Sequence, residues 1–328
     1  MNNLDSGVYT DLAVESHNLA LERTSQEVQG VNLEEEQLDG AHISRVEVLN
    51  QQAAQVIGKK PGNYITIEAE ELRAGDRELH EYLSGVLARE LAQLIDYNSL
   101  GQAINQEPTI LVIGLGNWNA TPDALGPQVV HHLLVTRHLY DSSPQEAREG
   151  MRPVCALSPG VLGLTGIETA EILKGVIDRV NPDLVIAVDS LVSRDTKHLA
   201  STIQISNTGI YPGSGLGKQR IGITEEDMGV PVVAIGVPTV INSITIVSDT
   251  IDLLAKDENL NNTNLQQALQ EQKKEVVDSI LEPYLGDLIV SPKAIDQLIK
   301  NVSRVIAGGL NVNLHPDIRI EDVGLYLQ

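Results

Sequence analysis

The sequence predicts an α/β fold: one domain on a mainly parallel or mixed sheet, with helices on both faces and peripheral N-terminal and inserted segments. Three observations predict it. Apolar runs of strand length recur at residues 109–114, 183–189 and 231–237, as expected of strands buried on both faces. Helical stretches fall beside them, at 122–140, 166–180 and 241–254, which is the rhythm of βαβ units. The composition is that of a folded chain: 42% of the 328 residues are hydrophobic and 21% charged, which excludes disorder over the whole length.

Residues 1–18 are polar and acidic, without the basic and apolar regions of a secretory signal. Residues 28–40 are acidic and loop-like, and Glu34, Glu35 and Glu36 read as a solvated face. Residues 64–70 alternate at period two, as a strand does. Leu79, Leu83, Val86, Leu87, Leu91, Leu94 and Ile95 mark an amphipathic helix over 77–97. Everything up to Asn105 reads as peripheral. After the strand at 109–114 come the helices at 122–140 and 166–180, then the strand at 183–189. A half-covered strand follows at 202–206, then the strand at 231–237 and the apolar helix at 241–254. Residues 256–274 are rich in Asn and Gln, and helical character runs on through Leu281. Residues 257–289 therefore read as a surface insertion before a last helix at 292–307. The core falls at about 108–256 and 290–328 by this pattern of apolar runs.

Charge excludes several functions. Against 45 Asp and Glu stand 23 Lys and Arg, a net charge of −22. No basic run is present to neutralise phosphates, and 3% aromatics supply no stacking platform for single strands. No nucleic-acid partner is expected. No segment has the apolar length of a membrane span, so no membrane partner is expected and the chain reads as cytoplasmic. The single cysteine, Cys155, excludes an intrachain disulfide and a multi-cysteine zinc site. It lies in a short apolar run and reads as a small buried hydrophobe, not an activated thiol.

In open α/β sheets ligands bind beyond the carboxyl ends of strands, and three strand ends here are unusual. The first carries Gly114 and Gly116, but the sixth position of a dinucleotide-type glycine motif is Asn119, so the glycines read as a sharp backbone turn. In the same stretch Thr121 reads as an N-cap and Pro122 as the first helical residue. Asp123 then lies in the first turn, where the helix dipole favours its ionised form. The second strand end is Asp189 and the third is Gly236-Val-Pro-Thr239. Each aspartate has two readings, capping or catalysis. Both lie beyond neighbouring candidate strands, so one cleft can hold both, and two close carboxylates can divide acid and base roles.

Other motifs carry less. Asp5-Ser6-Gly7 imitates a pepsin-type signature in a chain without that β-rich architecture. His131 and His132 lack zinc spacing. His198 is near enough to Asp189 in sequence to approach the site as a metal ligand or to be a surface residue. Gly213-Ser214-Gly215 lacks the strand-to-helix context of a nucleophile elbow, so neither Ser214 nor Cys155 is expected to be a nucleophile.

Six segments together resemble one family: Thr10-Asp11-Leu12-Ala13-Val14-Glu15, Gly114-Leu-Gly-Asn, Thr121-Pro-Asp-Ala-Leu-Gly-Pro127, Ala187-Val-Asp-Ser-Leu191, Gly236-Val-Pro-Thr-Val240 and Leu314-His-Pro-Asp-Ile318. They resemble the germination (spore) endopeptidases of spore-forming Firmicutes, in order and across nearly the whole chain. The resemblance implies an endopeptidase of small acid-soluble spore proteins, acting in the spore core, and a homotetramer. It implies a fold related to hydrogenase-maturation proteases and a zymogen that removes its own N-terminal peptide. The family's essential aspartates fall on Asp123 and Asp189, which favours the catalytic reading. Tyr9 stands where a basic residue is expected and Asn242 where an acidic one is.

The expectation is an aspartate-dependent endopeptidase with no metal and no cofactor. Residues 1–11 form a propeptide, cut between Asp11 and Leu12, and residues 12–328 form one protease domain. The cut is expected there because an acidic residue precedes an apolar one in an exposed terminus. The rivals are a metal-dependent maturation-type endopeptidase using Asp123, Asp189 and His198, and a non-catalytic peptide-binding or nucleotide-binding domain.

Overall fold

A computed structural model describes residues 10–24, 27–100, 107–142, 150–211, 221–256, 282–285 and 288–326. Along the chain, helix α1 (Ala13–Thr24) precedes strands β1 (Val31–Leu38) and β2 (Ala41–Val48). Helix α2 (Gln51–Ile57), strand β3 (Gly62–Glu68), helix α3 (Arg77–Leu94) and strand β4 (Ile110–Gly114) follow. Then come helix α4 (Leu125–His132), strand β5 (Val154–Leu157), helix α5 (Thr169–Val180), and strands β6 (Leu184–Ser193), β7 (Thr202–Ser206) and β8 (Val232–Asn242). Helix α6 (Ser243–Lys256), strand β9 (Ile289–Val290) and helix α7 (Ile295–Leu314) end the series.

The strands form one sheet in the order β1-β2-β3-β7-β8-β6-β4-β5, with β9 against β8. Strands β5, β4, β6 and β8 are mutually parallel, and β1, β2, β3 and β7 extend them antiparallel. The expected α/β class with a mixed sheet is what forms. Alternate residues of the central strands serve opposite faces. Ile110, Val112, Ile186 and Val188 pack with α3, α4 and α7, while Leu111, Ile113, Val185 and Ala187 pack with α5. Helices α1 and α2 cover β2 and β3 on the latter side.

Several expectations are corrected. The stretch before Asn105 is not peripheral: Ile43, Ile65, Ile67, Leu83 and Leu87 share the main core cluster with β4, β6 and α7. Residues 31–38 are a strand, not a loop, because every residue pairs with β2. Its acidic residues suit an edge strand. Glu36 is also not simply solvated, since it pairs with Arg45 at 2.7 Å and Arg89 at 2.9 Å. The helix expected at 122–140 is broken. A 3-10 turn spans Thr121–Asp123, α4 stops at His132, and the Thr136 N–H is drawn to the Val154 carbonyl at 2.9 Å. Ile241 and Asn242 belong to β8, not to the helix after it. The last helix runs on to Leu314 because Leu310 and Leu314 are fully buried. Most of the insertion, residues 257–281, lies outside the described residues, but its end supplies β9 to the sheet.

Candidate active site

The site stands on the face of the sheet covered by α1 and α2. Four residues align across it in register: Thr66 of β3 with Gln204 of β7, Gln204 with Gly236 of β8, and Gly236 with Asp189 of β6. Gly236 makes room between Gln204 and Asp189 for the Leu191 side chain, which a Cβ there would meet at 2.5 Å. Beside this row lies a cavity of about 630 Å³ lined by Asp11, Lys59, Asp123, Asp189 and Gln204. A cleft of that size suits a small segment of peptide.

Asp123 reaches the cavity from the turn after β4. Gly116, at φ 114°, lets the loop pass over this turn: a Cβ on it would sit 2.0 Å from the Asp123 carbonyl oxygen, which accepts the Asn117 N–H at 2.9 Å. Thr121 does not cap the turn with its side chain, and Ala120 precedes it instead. The helix-dipole expectation for Asp123 is also overturned. Burial pushes its carboxyl up to about 6, opposed by the Asn117 backbone, because desolvation of a charge outweighs a helix-end field. Asp189 is 7% exposed. Burial, the Asp123 charge and the Asp11 charge raise its pKa well above the ordinary value, while the Ser190 N–H at 2.8 Å opposes them. The structure thus brings the two aspartates together as two carboxyls that do not ionise freely. Ser190 and Thr239 also line the cavity, and their buried hydroxyls are without hydrogen-bond partners among the described residues.

From the N-terminal side, Asp11 lines this cavity. Strand β4 pairs with β6 only as far as Val188, and Val192 further along β6 takes up Asp11. The Asp11 N–H donates to the Val192 carbonyl at 3.0 Å, and the Val192 N–H donates to the Asp11 carboxylate at 2.8 Å. Leu12 is fully buried against Val14, Leu191 and Ile210. The Asp11 carbonyl accepts from Lys59 Nζ at 2.7 Å and from Gln204 Nε2 at 3.0 Å. Glu15 is buried as well. Its carboxylate accepts from Ser193 Oγ at 2.8 Å, the Arg194 N–H at 3.0 Å, the Asp195 N–H at 3.1 Å and the Thr10 hydroxyl. Asp11, singled out in the sequence, therefore lines the same cavity as Asp123 and Asp189, with Leu12 buried next to it against Leu191. Lys59, Gln204 and the Glu15 pocket were not legible there. The one available signal was Glu15, a lone acid in an otherwise apolar helix start.

The remaining candidates fall elsewhere or serve the scaffold. His198 Nδ1 lies 3.0 Å from Thr202 Oγ1 and Nε2 lies 3.5 Å from Glu15, so it is not turned to Asp123 and Asp189. Among the described residues no group of three His, Cys, Asp or Glu side chains is placed to hold a metal. His131 packs its ring edge-on to Trp118. Asn242 Oδ1 accepts the Ile244 N–H at 2.8 Å at the start of α6. Cys155 is half-buried, not buried, on the outermost strand β5, and burial pushes its thiol up, which leaves it unactivated. Asp5-Ser6-Gly7 and Gly213-Ser214-Gly215 lie outside the described residues. No described helix is long and apolar enough to cross a membrane.

Comparison with known proteins gives the site its context. A family model described as germination protease matches residues 9–268 and 262–327. The chain is 46% identical over 328 residues to the germination protease of Caldanaerobacter subterraneus subsp. tengcongensis, covering 98% of each chain. It is 43% identical over 327 residues to that of Clostridium tetani, covering 98% of this chain and 99% of the other. Among solved structures, the NiFe hydrogenase maturation protease HycI from Thermococcus kodakarensis is similar at 18% identity and a TM-score of 0.26, over 52% of this chain and 90% of that one. With 39–46% identity to germination proteases sustained over nearly its full length, the chain belongs to the germination protease family, a family of peptide-bond hydrolases.

Proposed function

We propose that the chain is an aspartate-dependent endopeptidase made as a zymogen. It removes residues 1–11 by cutting between Asp11 and Leu12, and it then degrades small acid-soluble spore proteins in the spore core during germination. The observation that carries this reading is that Asp11, tied to Val192 beside the fully buried Leu12, lines the cavity that Asp123 and Asp189 also line.

The chemistry follows from the two carboxyls. Asp189, the more deeply buried, holds a proton, and Asp123 is the base. Water adds to the Asp11 carbonyl carbon as its proton passes to the Asp123 carboxylate. The C–N bond then breaks, and Asp189 protonates the departing Leu12 amine. The two carboxyls titrate as one coupled unit, so cleavage begins as mild acid brings a shared proton into the pair. The uncut segment restrains the enzyme, because a tethered peptide fills the site at high effective concentration. The metal-dependent reading is weaker, since its third ligand, His198, is engaged by Thr202 and Glu15. The functional assembly proposed with this reading is a homotetramer, which light scattering on the eluted protein tests.

The direct test is N-terminal sequencing of protein held at mildly acidic pH, beside an Asp123→Asn control. A new terminus at Leu12 in the intact enzyme alone is expected. Absence of processing, or equal processing in the control, overturns self-cleavage. Incubation of the processed enzyme with a small acid-soluble spore protein tests the substrate.

A further inference from the structure

We infer that Lys59 and Gln204 form the oxyanion site of this enzyme, and that Lys59 is a catalytic residue. The inference rests on the reading of Asp11–Leu12 as a bond the enzyme cuts. Its ground is one carbonyl. Of the described backbone oxygens around the cavity, that of Asp11 receives both the Lys59 ammonium at 2.7 Å and the Gln204 amide at 3.0 Å. When water adds to this carbonyl its oxygen becomes negative, and donors aimed at developing charge stabilise the transition state more than the ground state.

Neither side chain is there by local chance. Lys59 leaves the turn after α2, and it also reaches the Thr10 carbonyl at 3.2 Å. Burial lowers its pKa, and the charges of Asp11 and Glu15 oppose that lowering. Gln204 stands in the middle of β7, one row position from Gly236 and two from Asp189. Its amide is used at both ends: Oε1 accepts the Ala13 N–H at 2.6 Å while Nε2 donates to Asp11. That bidentate grip spans Leu12: Nε2 holds the carbonyl of the Asp11–Leu12 peptide and Oε1 holds the N–H of the next peptide. Asp123 and Asp189 then supply the base and the acid, and the lysine and glutamine supply the electrostatic stabilisation those carboxylates cannot. Any extended substrate seated like residues 10–13 meets the same two donors.

A merely structural role would hold the segment without speeding its cleavage, and the two are separable. The full chain is followed at mildly acidic pH by mass spectrometry for cleavage and by amide hydrogen exchange for protection of residues 11–13. Wild type, Lys59→Met, Lys59→Arg and Gln204→Leu are compared, with melting curves to verify folding. The expected result is loss of the Leu12 terminus by on the order of 10²–10³-fold in rate in Lys59→Met. Protection should be retained and Lys59→Arg should recover part of the rate. Gln204→Leu should lose both rate and some protection. Wild-type cleavage in Lys59→Met overturns the inference, and so does loss of protection that accounts for the lost rate. If wild type itself is cut at another bond, the underlying reading fails, and that is visible before any variant is compared.

Discussion

Gln204 and Asp189 occupy one row of the sheet with only Gly236 between them. Two strand spacings, roughly 10 Å, separate Gln204, which holds the Asp11 carbonyl, from Asp189, and the missing side chain makes room for Leu191. A methyl group at this position would press on Leu191, which packs against Leu12. Gly236→Ala is therefore expected to destabilise the fold by about 1–3 kcal/mol, the usual effect of overpacking, and to slow processing at Leu12. Denaturant unfolding and N-terminal sequencing measure the two effects; unchanged processing would show that the seating of Leu191 against Leu12 does not position the segment.

Glu15 is a second lever on the same segment. Its carboxylate satisfies two backbone N–H groups and the Ser193 hydroxyl in a buried pocket. Glu15→Ala leaves the Arg194 N–H unmet and the Ser193 hydroxyl and Asp195 N–H with only each other's residue as partner, and should destabilise the full chain by on the order of 1–3 kcal/mol. Glu15→Gln, which keeps an acceptor, should be milder. Urea unfolding of the two variants checks the order, and equal midpoints would remove the pocket from the account.

Asp123→Asn and Asp189→Asn should each lower peptide cleavage by at least about 10²-fold, the scale of general acid–base catalysis. Neither should lower the melting temperature. Each aspartate is held in surroundings that oppose its charge, so removing the ionisable group relieves the folded state. Near-normal turnover in a folded variant would exclude that residue from the chemistry.

The raised Asp123 carboxyl also gives a pH dependence with a definite sign. Between its ordinary value of 3.8 and its folded value of about 6, the folded chain binds more protons than the unfolded one. This contribution to stability is full below the lower value and is lost as pH rises toward the upper one. Asp189, raised well above its ordinary value, contributes with the same sign. Wild type should therefore lose stability relative to Asp123→Asn as pH rises from about 4 to about 6. Parallel slopes for the two proteins in a pH series of chemical unfolding would contradict the burial of this carboxyl.

The sequence by itself determined the strands at 109–114, 183–189, 202–206 and 231–237, because continuous or alternating apolar runs report burial directly. It also determined Asp123 and Asp189 as candidates, since both stand at carboxyl ends of such runs, and Asp11–Leu12 as a junction of interest. It misjudged residues 31–38, whose acidic composition hides a strand that exists only through its pairing with β2. Tertiary structure alone decided the rest. Lys59 and Gln204 carry no local signal, for their meeting depends on β7 lying between β3 and β8 and on α2 ending above them. The charge state of Asp123 was likewise undetermined. A helix-end field is local and can be read from neighbours in the chain, whereas desolvation depends on everything packed around the group, and here burial raises the carboxyl.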